Sequence, residues 1–242
     1  MERSRAQVTP RTAVVWEVLR AELDRRAAGP LSILDVGGGT GGFAVPLAEA
    51  GHRVTVVDAS PDALAALDRR AADAGVADRV SAVQGDADDL PSVAAAGSAD
   101  LVLCHSVLEF VDDPAKVAAS LAAILAPGGA ASVLVANLAA AVLSRAVSGH
   151  FTAATQLLST VDGMEGARRR YDTGTISALL TAAGLGVERV HGVRVVADLV
   201  PGALLDAEPG SLPALAAFEL AAAARPPYRD IATQLHVLAR RG

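Results

Sequence analysis

Among 242 residues there is one cysteine, Cys104, and one lysine, Lys116. A lone thiol excludes an internal disulfide and a four-thiolate zinc site. No His/Cys/Asp cluster has metal-ligand spacing either, so no metal is expected. Aromatic residues make up only 3%, and the core must be built from the aliphatic side chains within the 52% that are hydrophobic. The first eleven residues are polar, without the apolar centre of a secretory signal. The longest uncharged stretch, Val117 to Ser144, is broken by Pro127-Gly128-Gly129 and again by Asn137. A bilayer helix needs roughly 20 continuous apolar residues, so this stretch reads instead as helix, turn and buried strand. The expectation is a soluble, cytoplasmic protein with no membrane partner. Basic residues number 21 against 27 acidic ones, a net charge of −6. That weighs against a general binder of nucleic acid or anionic membranes and leaves local patches such as Arg168-Arg169-Arg170.

What is present is a rhythm. Thr12–Ala28 reads as an amphipathic helix with Val15, Val18, Leu19 and Leu23 on one face and the pair Glu22/Arg26 on the wet side. Strands are predicted at Leu31–Val36, His52–Asp58, Val80–Gln84, Leu101–His105 and Ala130–Ala136. Between them fall helices at Phe43–Ala50, Pro61–Ala74 (Ser60 as cap) and Pro114–Leu125. Leu138–Tyr171 reads as irregular helix. Then come a helix at Thr175–Ala183, a strand at Gly186–Asp198, a helix at Pro213–Ala224 and a strand at Thr233–Arg240. Alternation of this kind predicts an α/β fold: a doubly wound, Rossmann-like, mostly parallel seven-stranded sheet with a helical cap. One domain spanning 1–242 is expected, with a cofactor-binding core at 11–136, a cap or substrate segment at 138–172, and 175–242 completing the sheet.

The loop Gly37-Gly38-Gly39-Thr40-Gly41-Gly42 follows the first strand and opens a helix. Glycine lets the backbone turn tightly and approach a ligand closely, a need common to nicotinamide-cofactor and S-adenosylmethionine folds. The surroundings separate the two. Leu34-Asp35-Val36-Gly37-Gly38-Gly39 resembles class I methyltransferases, and Asp58 closes the next strand where a carboxylate can accept from both ribose hydroxyls. Asp86, Asp88 and Asp89 follow the third strand, and Leu125-Ala126-Pro127-Gly128-Gly129 precedes the fifth. Hydride-transfer machinery of the Ser-Tyr-Lys kind is missing, since Tyr171 and Tyr228 are not so placed.

The resemblance narrows at His105-Ser106-Val107-Leu108-Glu109-Phe110-Val111-Asp112-Asp113-Pro114, at Gly192–Asp198, and at Leu235-His236-Val237-Leu238-Ala239-Arg240. Together with Arg11 before Trp16, these make the chain similar to the bacterial tRNA 5-carboxymethoxyuridine methyltransferase family. The resemblance implies S-adenosyl-L-methionine as cofactor and tRNA as partner, with a wobble-uridine carboxylate becoming a methyl ester. Carried over by position, its cofactor contacts fall on Arg11, Gly37, Gly38, Asp58, Ala87, Asp88 and His105, with Asp35 and Gly39 in the same motif. Methylation of a small metabolite or natural product remains open, as does a catalytically silent cofactor-binding subunit. A carboxylate acceptor needs no general base, and Arg194 or Arg145 could hold it by a guanidinium fork. For a hydroxyl acceptor, His105 could serve as base near its own pKa.

Overall fold

The computed structural model describes residues 9–26, 29–160, 163–207 and 209–242. Its first half runs α1 (Ala13–Arg25), β1 (Ser32–Val36), α2 (Ala44–Glu49), β2 (Arg53–Asp58), α3 (Pro61–Asp73), β3 (Val80–Gln84), a 3-10 turn (Ala87–Ser92), β4 (Ala99–His105), α4 (Pro114–Ile124) and β5 (Leu125–Ala136). A cap follows: α5 (Leu138–Val147), α6 (Phe151–Leu158) and the hairpin β6 (Met164–Glu165) with β7 (Arg168–Arg169). The remainder is α7 (Thr173–Ala182), β8 (Leu185–Val193), α8 (Gly202–Ala207), α9 (Ser211–Ala222), α10 (Tyr228–Ile231) and β9 (Gln234–Arg241).

Seven strands form one sheet in the order β3-β2-β1-β4-β5-β9-β8, all parallel except β9. This is the doubly wound, Rossmann-like sheet expected. Chain order reverses between β1 and β4, and ligands of such sheets bind beyond the strand carboxyl ends at that point. Because β8 runs with β5, its end at Val193 reaches the same edge, joined there by the start of β9 at Gln234. On one face α1, α2 and α3 pack over Ile33, Val54, Val56, Leu101 and Leu103. On the other, α4 and α7 cover Leu34, Val36, Val102, Cys104, Val133 and Val237. Burial on both faces explains why the strands read as nearly unbroken apolar runs. Cys104 is core, its thiol pushed upward by burial.

Three helices of the sheet's crossovers and cap start on a side-chain cap: Ser60 Oγ accepts from Ala63 N at 3.2 Å with Pro61 in the first position of α3, and Asp113 and Asn137 cap α4 and α5. Three expectations need correction. Glu22 does not face water; it is 3% exposed, because the end of α1 meets Arg240 of β9. Leu138–Tyr171 is not helical throughout: Gly163 (φ +68) and Gly166 (φ +62) turn it into the β6–β7 hairpin. The strand at Gly186–Asp198 stops at Val193, since Arg194 takes φ 60 and leaves the ladder. The helix predicted at Thr12–Ala28 is α1, with Arg26 at its C-cap, and Ala27 and Ala28 lie outside the described residues. The uncharged stretch resolves into α4, β5 and most of α5, and among the described residues no helix is long and apolar enough to cross a membrane.

Candidate functional site

The glycine turn is pinned to its neighbour strand, Gly37 N donating to Val57 O at 2.7 Å. Gly37 has φ +68, and a Cβ there would lie 2.4 Å from Val107 Cγ2; at Gly38 it would lie 2.5 Å from Asp35 Oδ2. Neither position tolerates a side chain, so the backbone itself lines the edge. Asp58, at the end of β2, accepts from Gly39 N on Oδ2 and Ser60 N on Oδ1, both at 2.9 Å. These bonds orient the carboxylate and leave lone pairs free. Asp86 Oδ1 accepts from Asp88 N at 3.0 Å, fixing the 3-10 turn that starts at Ala87. Asp88 Oδ1 and Asp35 Oδ2 are out of water with no hydrogen-bond partner. Burial, helped by the charge of Asp58, pushes the Asp35 carboxyl up to about 7.

At the end of β4, His105 sits within a run of rings. Trp16 lies 5.0 Å from Phe43, and Phe43 meets His105 edge-on at 4.8 Å. His105 Nε2 bonds Ser132 Oγ at 2.9 Å, and that hydroxyl also meets His236 Nε2 at 2.7 Å. Burial holds the His105 imidazole down to about 4. Its ordinary range near neutrality, assumed for a general base, is therefore not the one it has here: at pH 7 it is neutral and weakly basic. The next residue, Ser106, is left-handed (φ 57), its hydroxyl accepting from Gln234 Nε2 at 3.0 Å. Ser106 and Arg194 are the two non-glycine residues with positive φ among those described, and both sit at this edge. Strained backbone concentrates where function holds it.

Arg11 and Arg194 converge on one carboxylate, Asp198, at 3.1 Å and 3.3 Å. The bend carrying Arg194 and Asp198 is held by Glu219 of α9. Its buried carboxylate accepts from the N–H groups of Val195, Val196 and Ala197 at 2.7–2.9 Å. Arg194 Nε is out of water and unpartnered. Arg145 stands apart in the cap, ion-paired with Glu165, which Arg170 Nε also reaches at 2.7 Å. Arg168 stacks over Phe110 at 5.1 Å. Arg169 and Arg170 border a cavity of about 510 Å³ between α4, α7 and the hairpin.

Asp35, Gly37, Gly38, Gly39, Asp58, Ala87, Asp88 and His105 thus lie along one edge of the sheet, whereas Arg145 does not join them. Glu219, Ser132 and Gln234 escape a reading of the sequence alone. The signal for two of them is a polar side chain inside an otherwise apolar element, Ser132 in β5 and Glu219 in α9.

Comparison with known proteins adds to this geometry. A family model described as a methyltransferase domain matches residues 34–133. The tRNA 5-carboxymethoxyuridine methyltransferase of Escherichia coli K12 is 29% identical over 238 residues, 96% of this chain and 88% of that protein. The ubiquinone biosynthesis O-methyltransferase of Xanthomonas euvesicatoria pv. vesicatoria is 31% identical over 163 residues, 66% of this chain and 65% of that one. Among solved structures, an S-adenosylmethionine-dependent methyltransferase from Mesorhizobium loti matches with a TM-score of 0.64 at 24% identity, over 94% of this chain and 98% of that one. At that identity the likeness speaks for the fold.

Proposed function

We infer that this chain, a class I S-adenosylmethionine-dependent methyltransferase, methylates the carboxylate of 5-carboxymethoxyuridine in cytoplasmic tRNA to a methyl ester. The edge fits the cofactor. Asp58 has lone pairs free for two ribose hydroxyls, and the unpartnered Asp88 Oδ1 can accept from an adenine amino group. The side-chain-free backbone at Gly37, Gly38 and Gly39 would hold the methionine end, and Arg11 would face its carboxylate. S-adenosylmethionine supplies an activated methyl group on a sulfonium.

The protein's own part is alignment. A substrate carboxylate has a pKa near 4 and is already anionic at pH 7, so a neutral His105 is no obstacle. Arg194 is the residue that fits the role of holding it. Arg194 is paired with Asp198 through Nη1 while its Nε has no partner, which leaves a donor for an incoming carboxylate. Arg145 would have to leave Glu165 to do the same.

The observation that carries the tRNA reading is the extent of the likeness: it covers 96% of the chain, far beyond residues 34–133. A small-metabolite O-methyltransferase is the second reading. The ubiquinone-pathway relative favours it, as does the net acidic charge of the chain. Methyl transfer from labelled S-adenosylmethionine to tRNA carrying 5-carboxymethoxyuridine separates the two. The tRNA reading expects a nucleoside heavier by one methyl and labile to mild base. No transfer from protein that binds the cofactor supports the small-molecule reading.

A further inference from the structure

At every positive-φ position among the described residues except two, the chain uses glycine. The exceptions are Ser106 and Arg194, each directly after a strand that ends at the crevice edge. Glycine would take φ 60 freely, whereas the Cβ of any other residue crowds its own backbone there. The bend after β8 could therefore be built more cheaply without arginine. What glycine lacks is the guanidinium, which lies partly exposed with Nη1 3.3 Å from Asp198.

The conformation is imposed by the end of α9, which grips the chain on both sides of Arg194. Before it, Gly192 N donates to Ala223 O at 2.7 Å, and a Cβ on Gly192 would lie 2.8 Å from Arg229 O, so only glycine fits that approach. After it, the successive amides of Val195, Val196 and Ala197 converge on the Glu219 carboxylate. Consecutive N–H groups turned to one side make a concave anion seat, filled here by a side chain that is 0% exposed. The carbonyl of Arg194 itself accepts from Thr233 N at 3.2 Å, beside Gln234, whose amide reaches Ser106.

We propose that Glu219 is a positioning residue for methyl transfer: by holding the amides of residues 195–197 it keeps Arg194 in its left-handed conformation, with the guanidinium set beside Asp198 to receive the carboxylate of the acceptor. The proposal rests on the reading that the acceptor is a carboxylate held by Arg194. Glu219 is buried away from any ligand and acts through the backbone.

The test combines Glu219→Gln with Arg194→Ala in the full chain. Gln fills the same volume but turns an NH2 group toward amides that also donate, so the bend loosens. With labelled S-adenosylmethionine and tRNA carrying 5-carboxymethoxyuridine, Glu219→Gln should raise the acceptor KM about tenfold, with kcat and the cofactor Kd unchanged. In the Arg194→Ala background the same change should add nothing, because the group it positions is gone. A purely structural role would act alike in both backgrounds. A second readout needs no acceptor: proton–nitrogen NMR relaxation of arginine-labelled protein, with the Arg194 Nε–H signal assigned by its loss in Arg194→Ala. That signal should be ordered in the unaltered protein and mobile in Glu219→Gln. Three results overturn the proposal: an Arg194 side chain already mobile in the unaltered protein, one equally ordered in Glu219→Gln, or a KM effect undiminished without Arg194. If the unaltered protein leaves this tRNA unmethylated, the tRNA reading falls, and the Nε–H signal still decides whether Glu219 positions Arg194.

Discussion

Glu22 and Asp35 are both almost wholly out of water, at 3% and 2% exposure, yet the protein treats them in opposite ways. Glu22 lies near the amino edge of the sheet, where Arg25, Arg26 and Arg240 donate to its two oxygens at 2.8–3.0 Å. Burial alone would push it up; the three guanidinium groups outweigh that and bring it down to about 2. Asp35 lies toward the carboxyl edge, where burial and the neighbouring charge of Asp58 push it up to about 7 and Oδ2 has no partner. Depth is the same and company differs. One edge is electrostatically closed and serves stability; the other keeps unsatisfied atoms that a ligand can satisfy.

The contrast breaks hardest at the closed edge. Glu22→Gln leaves a cluster of arginines without their shared anion and should cost about 3–5 kcal/mol of stability at pH 7. A lowered folded pKa means this stabilisation is present above the unfolded value near 4.5 and disappears as pH falls toward 2. Urea titrations of the two proteins should therefore converge on acidification, while cofactor affinity stays put.

At the open edge the sign reverses. Asp35 binds its proton more tightly folded than unfolded, so its charge erodes stability as pH rises from about 4 to about 7. Asp35→Asn should gain about 2–4 kcal/mol above pH 7 and little at pH 4, and should bind cofactor less well. A gain independent of pH would falsify the account of this carboxyl.

Two smaller effects sharpen the comparison. Arg194→Ala should raise the KM for the methyl acceptor roughly 10–100-fold, the cost of a charge-assisted contact, with the cofactor Kd unaltered. Unchanged turnover would remove Arg194 from the acceptor site. Arg11 is 64% exposed, and its pair with Asp198 is a surface one. Arg11→Ala should move stability by no more than about 0.5 kcal/mol while weakening cofactor binding; calorimetry reads both.

Local signals carry the fold. Ser60-Pro61 reads as a helix start and behaves as one, and the apolar runs between turn residues become the seven strands. The glycine turn is equally legible, since its need for space is local. What escapes depends on partners far along the chain. Glu22 reads as the mate of Arg26, yet Arg240, 218 positions away, is what draws it inside. Arg145 reads as a free cation until Glu165 folds back onto it across a hairpin that periodicity does not announce. Arg194 reads as mid-strand, and only Glu219, one helix later, gathers the amides of the bend that follows it.

β9 has a consequence for how the molecule could be divided. Placed between β5 and β8, it is the only strand that β8 pairs with among the described residues. Its start reaches the crevice through Gln234, and its far end reaches Glu22 through Arg240. A cut in the exposed stretch around Leu199 and Leu204 would separate the chain into two pieces, the shorter one carrying β9. That piece would remain seated by ladders on both sides, so this fold lends itself to reconstitution from fragments, with the returning strand restoring both edges of the sheet at once.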